Sequence, residues 1–466
     1  MQVDSTPVGY TQAHLVRDYT HHIELSEGQS LVFNLLTGIG WQGPRGRADR
    51  AAPAVEAQRG DEPAIGVLRQ MEADFSGMSH PVSFQLIPTY GCNFKCAYCY
   101  EGSLTSEQRQ WDDDDLDNVL AACQRLAGES GSTLAESKFT VLGGEIIRAS
   151  TFAGIEKLVR RLRDAGGTMF EAVTNGYELA EHAERMRDLG ITHVQVTIDG
   201  PQKMHDKRRP LRVLKGASSF ERILEGTERC LALGMRINLR INIDQRNIPS
   251  LPDLVATFGD RGWLENPRFL AYLAPLERDY SGKMRFVSED EMARMLAELV
   301  AEEPRLLSLR WAFHGLEFLY ALRSGTQPQV AMRYCGATRG DYTLDARNGV
   351  YPCWFGAGQE EFKVAEISEL AAGKPLDQAG QERLSQWRAR GVTSMEPCSS
   401  CKWALVCGGG CAYKSKVKTG SMMSPNCAPF EAVYRTVGRL VYETPPQLRH
   451  ERLFPDPSPA SVIATV

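Results

Sequence analysis

Three cysteines, Cys92, Cys96 and Cys99, lie within eight residues in the segment TYGCNFKCAYCYEG. A structural zinc site usually takes four ligands, and disulfide bonds use cysteines in pairs. Three thiolates suit a cubane of four irons, in which one iron lacks a protein ligand. That iron can bind a small molecule, as the open position of a catalytic zinc binds water. A zinc site, an ordinary ferredoxin centre and a chance cluster are the alternatives.

A second group of seven cysteines follows residue 334. Four of them form C-x2-C-x5-C-x3-C in CSSCKWALVCGGGC, which by itself fits one zinc ribbon. Seven cysteines exceed what a single metal uses, so two iron–sulfur clusters are favoured. The seven are Cys335, Cys353, Cys398, Cys401, Cys407, Cys411 and Cys427. The two remaining cysteines, Cys123 and Cys230, lie in apolar helical text and are predicted to be core residues.

Composition restricts the classes of function. The chain has 466 residues, of which 42% are hydrophobic, and a formal net charge of −5. This negative charge argues against non-specific electrostatic binding of nucleic acid. No apolar run approaches the roughly 20 residues that span a bilayer, and the first residues lack the apolar core of a secretory signal. We therefore expect a cytoplasmic protein without a membrane partner, in which twelve cysteines do not form a disulfide framework.

An alternation of strands and helices must position the first cysteines. Six β-rich runs, from VSFQLIPT to RFLAYL, are separated by amphipathic helical runs between residues 82 and 275. This order predicts parallel βαβ units in a full or partial barrel or an open sheet. Functional groups then gather at the carboxyl ends of the strands. The segment with Cys92 follows the first strand directly and falls at that end.

The flanking regions have a different character. HHIEL and SLVFNLLTG predict a hairpin, residues 42–63 a mobile loop, and AIGVLRQM a short helix. We predict an N-terminal extension over residues 1–81, a barrel over 82–329, a cysteine-rich domain over 330–440 and a C-terminal tail over 441–466. The cysteine-rich domain shows little periodicity and is expected to fold around metal rather than around a large apolar core.

The motif C-x3-C-x2-C, in this context, resembles that of the radical S-adenosylmethionine (SAM) superfamily. The resemblance implies a partial (β/α)6 TIM-like barrel whose cluster cleaves SAM to a 5′-deoxyadenosyl radical. LGGEI resembles the family's GGE turn, although Ile146 stands where proline is usual. HDKRR resembles an HD-x-x-R segment. The cofactor contacts so implied are Tyr98, Gly143, Gly144, Glu145, Asn175, Thr197, Asp199 and Arg209, with Asn242 a weaker candidate.

The distal cysteines resemble the SPASM extension of peptide-modifying radical enzymes. By that pattern Cys398, Cys401, Cys407 and Cys427 hold one auxiliary cluster, and Cys335, Cys353 and Cys411 hold the other. Asn348 replaces the usual glycine of a turn, which asparagine tolerates. The extra cysteine that many relatives carry between Cys335 and Cys353 is missing. The inner cluster would therefore have either an open iron or a non-cysteine ligand.

Together these features predict an enzyme that abstracts hydrogen from a peptide or protein and installs an intramolecular crosslink, preferably a thioether. The alternatives are a carbon–carbon crosslink, oxidation of a side chain to formylglycine, and oxidation of an alcohol. A non-enzymatic electron carrier is the least favoured. The expected partners are a precursor peptide or protein subunit and an external one-electron reductant, flavodoxin or ferredoxin. No catalytic residue beyond the radical-generating cluster is predicted, because acids in this fold act by spatial position.

Overall fold

The computed structural model describes residues 19–35, 40–44, 66, 68–73, 81–213, 216–276, 286–326 and 328–448. These residues form a small three-stranded sheet and a large ten-stranded sheet covered by helices. Within this described part, no helix combines the length and apolar character that a bilayer crossing requires.

The small sheet is antiparallel. Its strands are β1 (Thr20–Glu24), β2 (Gln29–Asn34) and β3 (Gly40–Pro44). β1 and β2 form the predicted hairpin, with His21 opposite Phe33. The loop predicted over residues 42–63 starts too early, since residues 42–44 pair with β2 as the end of β3; residues 45–63 lie outside the described part. Residues 68–73 are helical, within the segment predicted as a short helix and two residues beyond it.

Six parallel strands form the centre of the large sheet, and they match the six predicted runs. They are β4 (Ser83–Ile87), β5 (Lys138–Val141), β6 (Met169–Thr174), β7 (Ile191–Thr197), β8 (Arg236–Ile243) and β9 (Phe269–Pro275). They neighbour one another in chain order, with a short β10 (Arg310–Trp311) at the far edge. This order confirms the α/β class and the partial barrel.

Helices connect these strands. They are α1 (Asp113–Glu129), α2 (Phe152–Asp164), α3 (Leu179–Asp188), α4 (Gln202–Arg208), α5 (Phe220–Ala232), α6 (Leu251–Asp260), α7 (Glu289–Glu302) and α8 (Glu317–Ser324). The aspartate run before α1 is a capping device: Asp112 accepts from the Asp115 backbone N–H at 2.9 Å, and Asp115 accepts from that of Asp112 at 3.1 Å. Reciprocal bonds of this kind satisfy N–H groups that a helix start leaves unpaired.

The sheet continues into the cysteine-rich region. Its strands are β11 (Tyr342–Asp345), β12 (Gly349–Tyr351) and β13 (Ala365–Glu366). β11 lies parallel to β4, with Leu344 opposite Leu86. Asn348 in the β11–β12 turn has φ +66°, the left-handed conformation that its side chain tolerates.

This continuity corrects the expectation that the cysteine-rich region lacks a substantial apolar core. Leu344 and Val350 are fully buried, and Trp387 is nearly so. Burying such side chains contributes roughly 1.5–3 kcal/mol each, so apolar packing stabilises the region in addition to any metal. The remaining helices are α9 (Ile367–Ala371), α10 (Gln378–Arg388), α11 (Ala404–Cys407), α12 (Ala412–Thr419), α13 (Phe430–Val433) and α14 (Arg439–Glu443). α14 occupies the start of the predicted tail, and residues 449–466 lie outside the described part.

The small sheet is joined to the cysteine-rich region through His21, and this contact predicts a pH effect on stability. Its Nε2 lies 3.1 Å from the Lys402 carbonyl oxygen, its ring centroid lies 3.9 Å from that of Trp403, and burial lowers its pKa to about 4. The imidazole of His21 binds a proton at higher pH in the unfolded chain than in the folded one. The free energy of unfolding therefore decreases as pH falls from about 6.5 towards 4. We expect wild type to lose roughly 2 kcal/mol more than His21→Phe between pH 7 and 5.

Denaturant unfolding at both pH values measures this difference. The control is His22→Phe, since the neighbouring His22 is exposed and its replacement should leave the pH dependence of wild type intact. Equal pH slopes for wild type and His21→Phe would contradict the assignment.

Candidate active site

The loop that carries Cys92, Cys96 and Cys99 lies at the carboxyl end of β4, as predicted. A second segment, after α4, holds it in place: Lys95 N–H donates to the Pro210 carbonyl at 2.9 Å. Arg212 clamps the loop by donating to the carbonyl oxygens of Cys92 at 3.1 Å and Phe94 at 3.3 Å. The sequence analysis did not identify Arg212, whose only local signal is its place in a basic stretch.

The three thiols lie close to one another. Burial raises the pKa of Cys92 to about 12, and Glu145 and Cys96 are near enough to contribute. Burial also raises the pKa of Cys99, with contributions from Glu101, Cys96 and Cys92. Such thiols bind as thiolates only when a metal compensates the charge. Among the described residues, no three Cys, His, Asp or Glu side chains converge as one metal ion would require. A cubane would use all three thiolates, because each binds a different iron.

The predicted GGE turn packs directly on this loop. Gly144 N–H donates to the Thr89 carbonyl at 3.1 Å, and Glu145 N–H to that of Gly91 at 2.9 Å. A Cβ atom on Gly144 would lie 2.0 Å from the Tyr90 carbonyl oxygen. The close approach of the two backbones therefore requires glycine at this position. The turn keeps this contact although Ile146 replaces the usual proline.

Glu145 is a buried carboxylate at the end of β5. Its Oε1 accepts from Thr174 Oγ1 at 2.6 Å and from the Ile147 N–H at 2.8 Å, and its Oε2 accepts from the Asn175 N–H at 2.5 Å. Burial raises its pKa to about 7, although these hydrogen bonds act to lower it. A carboxylate has about four acceptor positions, so one remains for an ammonium donor. This geometry fits the predicted contact with the amino group of SAM.

A polar network joins the ends of β7 and β8. The Tyr98 hydroxyl donates to Asp199 and accepts from Arg209 Nη1 at 2.7 Å. Asn242 donates to Asp199 Oδ1 through its backbone N–H at 3.0 Å and its side chain at 3.2 Å. Burial alone would raise the pKa of Asp199, but Arg208 and Arg209 hold it below its usual value. The network unites three predicted residues with the weaker candidate Asn242.

Arg209 has donor capacity to spare. It is buried, and its Nε has no hydrogen-bond partner in the described part of the chain. A buried N–H without an acceptor is unfavourable, so this position suits an incoming anion. A guanidinium binds a carboxylate in a bidentate fashion. The structure thus fits the predicted contact between Arg209 and the carboxylate of SAM.

Replacing Arg209 should weaken cofactor binding. A hydrogen bond between charged groups contributes roughly 1.5–3 kcal/mol, so we expect Arg209→Met to bind SAM roughly 10–100-fold more weakly. Equilibrium dialysis of the reconstituted protein measures this. The control is Arg246→Met, because Arg246 is exposed just after β8. Unchanged affinity in a folded Arg209→Met protein would remove Arg209 from the site.

Two other predicted contacts lie at the ends of β6 and β7. The Asn175 side chain donates to Asn93 Oδ1 at 2.7 Å and accepts from the Tyr177 N–H at 2.9 Å, so it organises the strand end. Thr197 is buried at the end of β7. Arg208, which was not predicted, anchors the network by pairing with Asp244 at 2.7 Å and Asp199 at 3.4 Å. Its sequence signal was adjacency to Arg209.

The seven distal cysteines separate into two sets. In what we call the inner set, Cys411 and Cys335 are close enough to raise the pKa of Cys353 beyond the effect of burial, and Cys411 acts likewise on Cys335. In the outer set, Cys427 and Cys401 raise the pKa of Cys398 beyond the effect of burial, and Cys398, Cys401 and Cys427 raise that of Cys407. The resemblance implied this division. Cys123 and Cys230 lie in the core, as expected.

Aromatic contacts connect the inner set with the first cysteine loop. The ring of Tyr100, next to Cys99, lies 5.1 Å from the ring of Phe355, two residues after Cys353. Phe355 in turn stacks on Tyr413 at 5.5 Å, two residues after Cys411. The segments that carry the two three-cysteine sets therefore touch.

Comparisons with known proteins agree with this site. Residues 86–247 match the family described as the Radical SAM superfamily. The Fe-coproporphyrin III synthase of Methanosarcina barkeri is 27% identical over 231 residues, which cover 47% of this chain and 50% of that protein. A cysteine-type anaerobic sulfatase-maturating enzyme of Clostridium perfringens is 21% identical over 346 residues, 71% of this chain and 89% of the enzyme. The chain spans only half to two thirds of the length of several curated relatives.

Solved structures share the fold. Native anSMEcpe with bound AdoMet and Cp18Cys peptide has a TM-score of 0.59 and 17% identity, and the match covers 78% of this chain and 98% of that one. Streptococcus suis SuiB bound to precursor peptide SuiA has a TM-score of 0.52 and 15% identity, with coverage of 87% and 99%. Both of these structures contain a bound peptide.

Proposed function

The chain belongs to the radical SAM superfamily, and on that premise we propose that it crosslinks a peptide or protein substrate through a thioether. A bound cluster and SAM would supply a 5′-deoxyadenosyl radical, which removes a hydrogen atom from an unactivated C–H bond. Cys92, Cys96 and Cys99 would hold that cluster. The chain's own polar groups would orient the cofactor: Glu145 its amino group and Arg209 its carboxylate.

The proximity of the inner set to the first cysteine loop supports this reaction most directly. Cys335, Cys353 and Cys411 are three thiols, and no further cysteine of the chain is left to join them. A cubane held by three thiolates has one iron open to a substrate cysteine. The ring centroids of Tyr100 and Phe355 lie 5.1 Å apart, so the segments that would hold the two clusters are in contact.

The stoichiometry of a thioether explains why auxiliary centres are needed. Forming one C–S bond from a C–H and an S–H group removes two hydrogens: one as an atom, one as a proton and an electron. The atom goes to 5′-deoxyadenosyl, the proton to solvent, and the electron to an acceptor. The auxiliary clusters held by the inner and outer sets would provide that acceptor, and flavodoxin or ferredoxin would supply the electron that starts each cycle.

Mass spectrometry tests the proposal. The reconstituted protein is incubated anaerobically with SAM, a reductant and cysteine-containing peptides encoded by short genes beside its own. A thioether predicts a loss of two hydrogens per site together with the loss of one alkylatable thiol. An identical mass loss with the thiol retained would instead indicate a carbon–carbon crosslink.

The similarity to a sulfatase-maturating enzyme keeps a second candidate function, oxidation of cysteine or serine to formylglycine. The product of that reaction is an aldehyde, which reacts with hydrazide reagents, whereas a thioether does not. Absence of 5′-deoxyadenosine in every reaction would contradict the radical chemistry itself. It would leave only the electron carrier.

A further inference from the structure

A buried arginine joins the two auxiliary cysteine sets. Arg390 follows α10 and is 1% exposed. Its Nη2 donates to the carbonyl oxygens of Gly409 at 2.7 Å and Gly410 at 3.2 Å, in the turn between Cys407 and Cys411. Its Nη1 donates to Met422 and, at 2.8 Å, to Ser424, in the segment before Cys427. The guanidinium thus fixes the backbone that carries members of both sets.

The charge of Arg390 faces cysteines and no carboxylate. In the part of the chain that the structure describes, no Asp or Glu forms an ion pair with it. Burial lowers the pKa of Arg390 below its usual value, and the groups that favour its charged form against burial are Cys411 and Cys335 of the inner set and Cys398 and Cys407 of the outer set. A buried charge normally requires a partner. Thiolates of two iron–sulfur clusters would be such partners.

One donor of this arginine is unused. The Nε of Arg390 is buried and has no hydrogen-bond partner among the described residues. Hydrogen bonds to cluster sulfurs and nearby charge are among the factors that set the reduction potential of iron–sulfur clusters. Arg390 offers an unused N–H donor and a charge at one position between the sets.

We propose that Arg390 is a positioning residue that raises the reduction potential of both auxiliary clusters by holding a fixed positive charge between them. Reduction adds one electron, and hence one negative charge, to a cluster. A fixed cation in a water-poor interior stabilises the reduced form more than the oxidised form. The inference rests on the proposed auxiliary clusters. It adds that Arg390 makes these clusters better acceptors for the electron that crosslinking releases.

Potentiometric titration followed by electron paramagnetic resonance tests this. The full chain with Cys92, Cys96 and Cys99 replaced by alanine is used, so that only auxiliary clusters give a signal. In Arg390→Gln we expect the ratio of reduced to oxidised cluster at a fixed potential to fall about tenfold, a downward shift of about 59 mV. Arg390→Lys keeps the charge and should stay nearer the parent protein. Equal shifts in both variants, or none in an iron-loaded Arg390→Gln, would overturn the proposal.

Arg333 provides a matched control. It is also a largely buried arginine that donates to backbone carbonyls of this region, those of Thr338 at 2.8 Å and Arg388, but its charge is paired with the Glu72 carboxylate at 3.9 Å. Arg333→Gln should leave the potentials unchanged. An equal shift in this variant would show a general packing effect and overturn the proposal.

A measurement that does not depend on the Gln variant covers the case in which that variant fails to retain iron. Protein labelled with 15N-arginine should show a nitrogen coupling to the reduced auxiliary clusters by pulsed resonance, and Arg390→Lys should lose it. Absence of the coupling in iron-loaded protein would overturn the inference alone. Absence of auxiliary iron in the parent protein would instead overturn the proposed function on which the inference rests.

Discussion

Replacing Cys92, Cys96 and Cys99 together by alanine should abolish the formation of 5′-deoxyadenosine from SAM. The three thiols are neighbours at the end of β4 and lie against the GGE turn through Cys92 and Glu145. Without them the cluster that would bind SAM and pass it an electron is missing, and the auxiliary clusters do not replace it, so the loss is complete rather than partial. Chromatography of anaerobic reactions with excess reductant measures it, and the iron content should fall by about four per chain.

Cys123→Ala is the control for this experiment. Cys123 is fully buried in α1, and burial alone raises the pKa of its thiol. Its replacement should leave cofactor cleavage near the wild-type rate while lowering stability slightly through the lost core contact. Wild-type cleavage of SAM by the triple variant would contradict the assignment of the first cysteine loop to the radical-generating cluster.

Replacing Cys398 by alanine should separate cofactor cleavage from product formation. Cys398 belongs to the outer set: beyond burial, Cys427 and Cys401 raise the pKa of its thiol, and no cysteine of the first loop is among the groups that shift it. The radical-generating centre should therefore remain assembled. An acceptor for the electron released on crosslinking would be missing, and 5′-deoxyadenosine should form without matching product.

The measured quantity is the ratio of 5′-deoxyadenosine to modified peptide, which should rise at least tenfold over wild type. Cys230→Ala serves as the control, because Cys230 is buried in α5 and burial alone accounts for the raised pKa of its thiol. Wild-type product yield from Cys398→Ala would show that the outer set is dispensable, and the auxiliary role proposed for it would then be wrong.

Local patterns in the sequence predicted the barrel well. Each of the strands β4–β9 has a continuous β-rich run, and each connecting helix has an amphipathic one, so neighbouring residues alone define them. The position of the first cysteine loop follows from the same order, since the end of a parallel strand lies at the functional edge of the sheet. The cysteine spacing identified the chemistry because ligands of one cluster here lie close in the chain.

The tertiary contacts around these motifs could not be predicted from local sequence patterns. Arg208, Arg212 and Arg390 all sit in basic text that is normally solvent-exposed, yet each is buried or half-buried against groups far away in sequence. The pairing of β11 with β4 joins residues more than two hundred positions apart. No local pattern records such a contact, because it depends on the path of the whole intervening chain.

The sequence by itself determined the class of fold, the first cluster motif and the number of distal cysteines. The resemblance to the SPASM pattern predicted how those cysteines divide, and the tertiary structure supplied the physical reason for the division. Spacing alone places Cys411 with Cys407, four residues earlier, in one ribbon, whereas in the structure it lies with Cys335 and Cys353. The physical reason is the run Gly408–Gly410, in which all three residues have positive φ and turn the chain out of one set into the other. Arg390 holds that turn in place.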